Sequence, residues 1–194
     1  MHHKSSTKTN VEIGHFHAVR FYRDTESLSR LVADFLAEGF LEDQPALVIA
    51  TPDHRQAIVQ HLNAQMFDIR RLERRDDLIL LDAEHTLAQF MVDGMPNGKR
   101  FAATITPVLQ RAARGRDDTI IRAYGEMVDV LWKAGQTVAA TRLEILWNEL
   151  ARSHAFSLLC GYAMGNFYED TAVEDICSHH THVISSGGEA ALVS

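Results

Sequence analysis

Apolar and polar positions along this chain switch repeatedly between a two-residue and a helical period. Phe16, Val19 and Phe21 alternate with His17, Arg20 and Tyr22, the pattern of a half-buried strand. Leu28, Leu31, Val32, Phe35 and Leu36 then form the apolar stripe of a helix. Asp24 or Thr25 caps it, Glu26 lies in its first turn, and Gly39 reads as its C-terminal stop. Residues 46–50 (ALVIA) are apolar throughout, at a length that favours a strand buried on both faces. Thr51, Pro52, Asp53 and His54 lead from it into a helix ending near Ala64.

Residues 78–81 read as another buried strand, ending at Asp82, followed by a short helix over 86–91. Gly94, Pro96, Asn97 and Gly98 mark a loop. An amphipathic helix over 101–114 follows, with Pro107 as a kink or restart. The β-rich run Thr119, Ile120, Ile121 comes next. The chain turns at Gly125, where glycine permits a tight turn, into a helix carrying Met127, Val128 and Leu131 on one face. Ala134 and Gly135 break that helix. A second helix, over 137–151, presents Ala139, Leu143, Leu146, Trp147 and Leu150 on one face and places Glu144 and Asn148, one turn apart, on the other. Residues 156–161 read as the last buried strand, leading into Tyr162, and 166–178 as a short helix.

Strands alternating with helices predict an α/β fold, with a mainly parallel central sheet flanked by helices on both faces. One sheet is expected to contain the strands near Leu47, Leu80, Ile121 and Leu158. The expected organisation is a single domain over residues 14–178, between a flexible lead-in (1–13) and a flexible tail (179–194), the stretch from Ser185 onward being unstructured.

At 194 residues and 46% hydrophobic content, the chain suits one globular domain with a substantial core. A net charge of −7 argues against direct nucleic-acid binding, and the local cluster Arg70, Arg71, Arg74, Arg75 reads as a solvated helix face. Two cysteines make no disulfide framework; Cys160 lies in an apolar run and reads as a buried core thiol, as in a reducing cytoplasm. No apolar run approaches the ~20 residues of a membrane span.

Polar residues gather where strands hand over to helices, at the carboxyl edge where open parallel sheets bind ligands. Glu126, just past Gly125, reads either as a carboxylate that orients a water or polar ligand or as a helix-terminus group. Arg122, Tyr124, Glu126, Glu144 and Asn148 are expected to converge at one end of the sheet. There Arg122 would hold an anion or pair internally with Glu144 or Glu126. Trp132 and Trp147 read as packing residues. Asp82 resembles the acidic residue after a hydrophobic strand in nucleotide hydrolases, yet the pattern G-x-x-x-x-G-K-[ST] occurs nowhere, which argues against ATP hydrolysis. His17, His54 and His85 lie near strand ends or loops, but nothing in their spacing demands convergence on a metal; His179, His180 and His182 read as tail histidines. No metal and no cofactor are expected.

Several uncommon strings occur in one order: His17 with Phe21-Tyr22, Leu81-Asp82-Ala83, RAYGEM from Arg122, Leu143-Glu144-x-Leu146-Trp147-Asn148, and Leu158-Leu159-Cys160-x-Tyr162. In these the chain resembles the MEDS domain, the methanogen/methylotroph DcmR sensory domain of bacterial and archaeal regulators. The resemblance implies a RecA/KaiC-like fold and a non-enzymatic sensory module that binds a small molecule, with small hydrocarbon derivatives suggested, or a partner such as a histidine kinase or transcription regulator. A degenerate nucleotide-binding protein and a homo-oligomeric interaction domain are the alternatives. The candidate ligand-binding set is His17, Tyr22, His54, Asp82, Arg122, Tyr124, Glu126, Glu144, Asn148 and Tyr162.

Overall fold

The structure, a computed structural model, describes residues 16–116, 118–166, 170–185 and 188–193. The lead-in expected over residues 1–13 lies outside them. The first half runs β1 (His17–Tyr22), α1 (Thr25–Leu41), β2 (Ala46–Ala50), α2 (Pro52–Ala64), α3 (Ile69–Arg74), β3 (Leu78–Asp82), α4 (Ala83–Ala88), the two-residue strands β4 (Met91–Val92) and β5 (Met95–Pro96), and α5 (Gly98–Ala113). The second half continues with β6 (Ile121–Gly125), α6 (Met127–Lys133), α7 (Thr137–Ala151), β7 (Phe156–Ala163), a 3-10 turn (Met164–Asn166), α8 (Asp170–Ser178), β8 (His182–Ile184) and β9 (Ala190–Leu192). No helix among the described residues is long and apolar enough to cross a membrane.

The main sheet has seven strands in the order β3-β2-β6-β7-β1-β8-β9, and every pairing is parallel except β8 with β9. The strands expected near Leu47, Leu80, Ile121 and Leu158 are its neighbouring members β2, β3, β6 and β7. Alternate residues of each strand feed two cores. Ala18, Ala46, Val48 and Tyr124 pack with Leu28, Leu36, Ile58 and Ile69, which places α1–α3 on one face. Val19, Leu47, Ala123 and Leu158 pack with Leu87, Ile105, Leu131, Leu143 and Ile176, which places α4–α8 on the other. The architecture is thus the expected α/β sandwich of a mainly parallel sheet between two helical layers.

Several local expectations are corrected. Helix α1 runs through Gly39 to Leu41 instead of stopping there. Gly39 is required for a different reason: a Cβ at this position would lie 2.5 Å from Cγ of Arg122, which crosses the helix there. Gly125 does not adopt a left-handed backbone, and nothing would obstruct a Cβ there, so the turn after β6 does not depend on it. The short helix expected over 86–91 lies earlier, as α4 over Ala83–Ala88, since Met91 is already in β4, and the loop around Gly94 is the β4–β5 hairpin. Helix α5 passes through Pro107 without interruption. The β-rich run at 119–121 only introduces its strand, which is Ile121–Gly125. The expected helix over 166–178 reduces to α8 after the 3-10 turn. The stretch taken as a flexible tail adds β8 and β9 to the sheet; three-residue strands are too short to show a two-residue period.

Candidate functional site

Strands β2 and β6 are neighbours, but α2 leaves β2 toward one face while α6 and α7 leave β6 toward the other. In open parallel sheets the ligand crevice lies outside the carboxyl ends of two such strands. Here it is filled from within. Glu126, the first residue beyond β6 and 1% exposed, accepts from the backbone N–H of Thr51 at 2.6 Å, from Nδ1 of His54 at 2.6 Å and from the Tyr124 hydroxyl at 2.8 Å. Where a phosphate loop would offer backbone N–H groups to a nucleotide, this chain turns its own carboxylate to the N–H of Thr51, the residue that precedes α2. Gly161 makes room for the arrangement, since a Cβ there would lie 2.7 Å from the Tyr124 oxygen.

A second network adjoins the first. Tyr22 donates to Asp129 at 2.9 Å, Asp129 accepts from the Ala163 N–H at 3.0 Å, and Lys133 pairs with Asp129 at 2.6 Å. The ring of Tyr22 meets that of His54 edge-on, with centroids 5.6 Å apart. Burial opposes ionisation of Glu126, but the hydrogen bond and charge of His54 and the Thr51 N–H outweigh it and hold the carboxyl below its ordinary value. Burial first, then the Glu126 carboxylate, pushes the Tyr124 phenol well up, so it stays a donor.

On the opposite face, under α7, a second polar cluster is enclosed by the core. Glu144 accepts from the Tyr162 hydroxyl at 2.7 Å, and its other oxygen lies 3.2 Å from Nε2 of His17 and 3.7 Å from Sγ of Cys160. His17 Nε2 is also 3.3 Å from that sulfur, and Nε2 of His180 lies 3.4 Å from Glu144. Asn148 holds the rim, with Oδ1 at 2.9 Å from His17 Nδ1 and Nδ2 donating to the His179 carbonyl at 2.9 Å. Burial opposes ionisation of Glu144, yet the facing rings of His180 and His17 and the Tyr162 hydroxyl together hold its carboxyl low, while burial pushes the Cys160 thiol well up. Beside the cluster lies a cavity of about 240 Å³ walled by Phe16, His17, Trp147, Asn148, Phe156 and Leu158.

The ten candidate residues therefore do not form one site. Tyr22, His54, Tyr124 and Glu126 meet at the carboxyl edge; His17, Glu144, Asn148 and Tyr162 meet under α7. Arg122 joins neither, which overturns the expected Arg122–Glu144 or Arg122–Glu126 pairing. It is the second residue of β6, toward the opposite end of the strand from Glu126, on the α1 face, donates to Gln44 at 2.7 Å and lies over the Phe35 ring at 5.0 Å. Asp82 also stands apart, capping α4 through the His85 N–H at 2.9 Å and pairing with Arg55 at 3.0 Å.

Cys160 and His180 are the members that sequence reasoning did not include, and Glu144 was placed on the wrong face of its helix. The signal for Glu144 lay in its spacing from Ala140 and Trp147, one turn either way along the buried stripe. Cys160 shares its strand face with Leu158 and Tyr162. His180 carried no such signal, because it follows α8 in an irregular segment.

Residues 16–181 match the family described as MEDS, the MEthanogen/methylotroph, DcmR Sensory domain. No curated protein matches the sequence. Among solved structures the chain is similar to the flagellar accessory protein FlaH from Methanocaldococcus jannaschii. The match has a TM-score of 0.49 and 11% identity, and covers 92% of this chain and 76% of that one.

Proposed function

The chain belongs to the MEDS family of sensory domains, and from that premise we propose that it is a non-enzymatic sensor that takes a small, partly apolar molecule and passes its presence to a partner regulator. The observation that carries this reading is the cavity beside α7. Its volume of about 240 Å³ lies below the ~300–1,000 Å³ of drug-sized sites and suits a molecule of a few heavy atoms. Its wall is aromatic and aliphatic at Phe16, Trp147, Ala151, Phe156 and Leu158 and polar at Arg152 and Thr181, which would fix orientation, with His17 and Asn148 on the side of the buried cluster. A small hydrocarbon derivative bearing one polar group has the matching chemistry.

His17 and Asn148 supply a route for the signal. Asn148 holds the His179 carbonyl, and the backbone of His17 is bonded to Thr181, so both walls of the cavity grip the segment that leads into β8. β9 lies beyond it at the sheet edge, with Leu192 77% exposed, and an edge strand offers unpaired backbone groups to another chain. A histidine kinase or transcription regulator docking there would read the state of the cavity. The nucleotide-binding alternative meets an obstacle in Glu126, whose carboxylate takes the Thr51 N–H that a phosphate would need.

The test is a native mass-spectrometric ligand screen, followed by hydrogen exchange with and without the compound found. A bound small molecule that changes protection over residues 179–192 supports the reading. A ligand that protects only the α2 N-terminus, or no ligand across a panel of small alcohols, amines and halides, overturns it.

A further inference from the structure

The cluster under α7 contains two imidazoles, a thiol and a carboxylate whose donor atoms all lie within 4.8 Å of one another. We propose that His17, Glu144, Cys160 and His180 bind a divalent transition-metal ion, with zinc as the ion this donor set suits best.

Hydrogen-bond accounting leads there first. Asn148 donates through Nδ2 to the His179 carbonyl, so its oxygen faces His17, and Nδ1 of His17 must carry the proton. Nδ1 of His180 faces the Ile176 carbonyl at 2.7 Å and must carry its proton as well. With Nδ1 protonated, each ring in its neutral form directs the lone pair of Nε2 at the Glu144 carboxylate. That arrangement is repulsive unless positive charge lies between them. His180 Nε2 is buried, with no hydrogen-bond partner. Protonating both rings would leave a net positive charge in a closed core, and protonating one would leave the lone pair of the other against the carboxylate. A divalent cation with a thiolate, a carboxylate and two neutral imidazoles sums to zero, the balance that burial favours.

The distances agree. His17 Nε2, Cys160 Sγ and Glu144 Oε2 are separated by 3.2, 3.3 and 3.7 Å. Bonds of about 2.0–2.3 Å to a tetrahedral zinc ion place ligand atoms about 3.3–3.8 Å apart. His180 Nε2, the fourth ligand, lies 3.4 Å from the other carboxylate oxygen, Oε1, and within 4.8 Å of the remaining donor atoms. The outer partners are those such sites need: Asn148 and the Ile176 carbonyl orient the two rings, and Tyr162 donates to Oε1 and so fixes the carboxylate. Binding forms four metal–ligand bonds and displaces one proton, from Cys160 to solvent. The ligands come from β1, α7, β7 and the segment after α8, so the ion would pin the C-terminal segment to the sheet.

The inference stands on this geometry and not on the sensory reading, and its readout does not involve the cavity ligand. The full chain, freed of metal by chelation and checked for fold by circular dichroism, is titrated with Co²⁺. The expected result is one cobalt per chain with tetrahedral visible bands and a thiolate-to-cobalt charge-transfer band, both displaced by Zn²⁺. Cys160→Ser should abolish the charge-transfer band, whereas Cys177→Ser, at a half-buried cysteine outside the cluster, should keep it. Asn148→Ala should weaken binding by about 10–100-fold. A folded wild-type protein that shows no charge-transfer band, or a band that survives Cys160→Ser, overturns the proposal. Binding without the band, through the exposed histidines alone, also overturns it.

Discussion

Replacing Glu126 by glutamine tests whether the carboxyl edge is held by a buried anion. The substitution keeps the shape and removes the charge. One amide atom still accepts from the Thr51 N–H, but the other becomes an NH₂ facing His54 Nδ1 and the Tyr124 hydroxyl. Hydrogen bonds to charged groups contribute about 1.5–3 kcal/mol each, so losing two costs about 3–6 kcal/mol. The Tyr124 hydroxyl can rotate to accept from the new amide, which returns about 1 kcal/mol. The expected net loss at neutral pH is about 2–5 kcal/mol, or a fall in Tm of roughly 4–20 °C for a chain of this size. The loss should also depend on pH. The Glu126 carboxyl titrates below its ordinary value in the folded state, so the unfolded chain binds more protons across the acid range. Its contribution is fully present above the unfolded pKa of about 4.3 and disappears as pH falls through the lower, folded value. Urea unfolding followed by tryptophan fluorescence, from neutral pH down to about pH 3, should show wild type and Glu126→Gln converging as acid is added. A variant within about 0.5 kcal/mol of wild type at neutral pH, or a gap that stays constant into acid, would refute the reasoning.

Three further outcomes are expected. Gly161→Ala should destabilise by about 1–3 kcal/mol, because its Cβ would lie 2.7 Å from the Tyr124 oxygen. Added to Tyr124→Phe, which removes that oxygen, it should cost less, so a double-mutant cycle should give a coupling above about 0.5 kcal/mol. Arg122→Ala should lose about 1–3 kcal/mol, from its bond to Gln44 and its stacking on Phe35, since Glu38 and Glu42 near it are largely exposed. Cobalt binding by that variant should equal that of wild type; a loss of binding would mean that the two faces communicate. Calorimetric titration with ATP and magnesium should give no binding heat, and a micromolar dissociation constant would show that Glu126 yields its place to a phosphate.

The sequence by itself determined the elements with enough length to show a period. The bounds of α7 follow from the break at Gly135 and the stripe from Ala139 to Leu150. Strand β2 is visible because a strand buried on both faces is apolar at every position; β7 shows the same run after Ser157, and β3, half-buried at the sheet edge, is apolar up to Asp82. The missing phosphate loop was equally legible, because that chemistry needs particular residues at a particular spacing. What only the tertiary structure decided is which side chains meet. Arg122 is close to Tyr124 and Glu126 in sequence, but it lies at the opposite end of β6, on the other face from Glu144. A strand shifted by a residue exchanges its faces, so a strand placed at 119–121 could not assign Arg122 to a side. The order β7-β1-β8 brings His17 beside the neighbourhood of Cys160 and of the segment after α8, and α7 lays Glu144 across them. His17 and Asn148 touch although 131 residues separate them, and no local period encodes that contact. A polar residue inside an apolar stripe reveals that it needs partners, because an unsatisfied buried charge is costly. Which partners it finds depends on strand order and helix placement, which the packing of the whole chain decides.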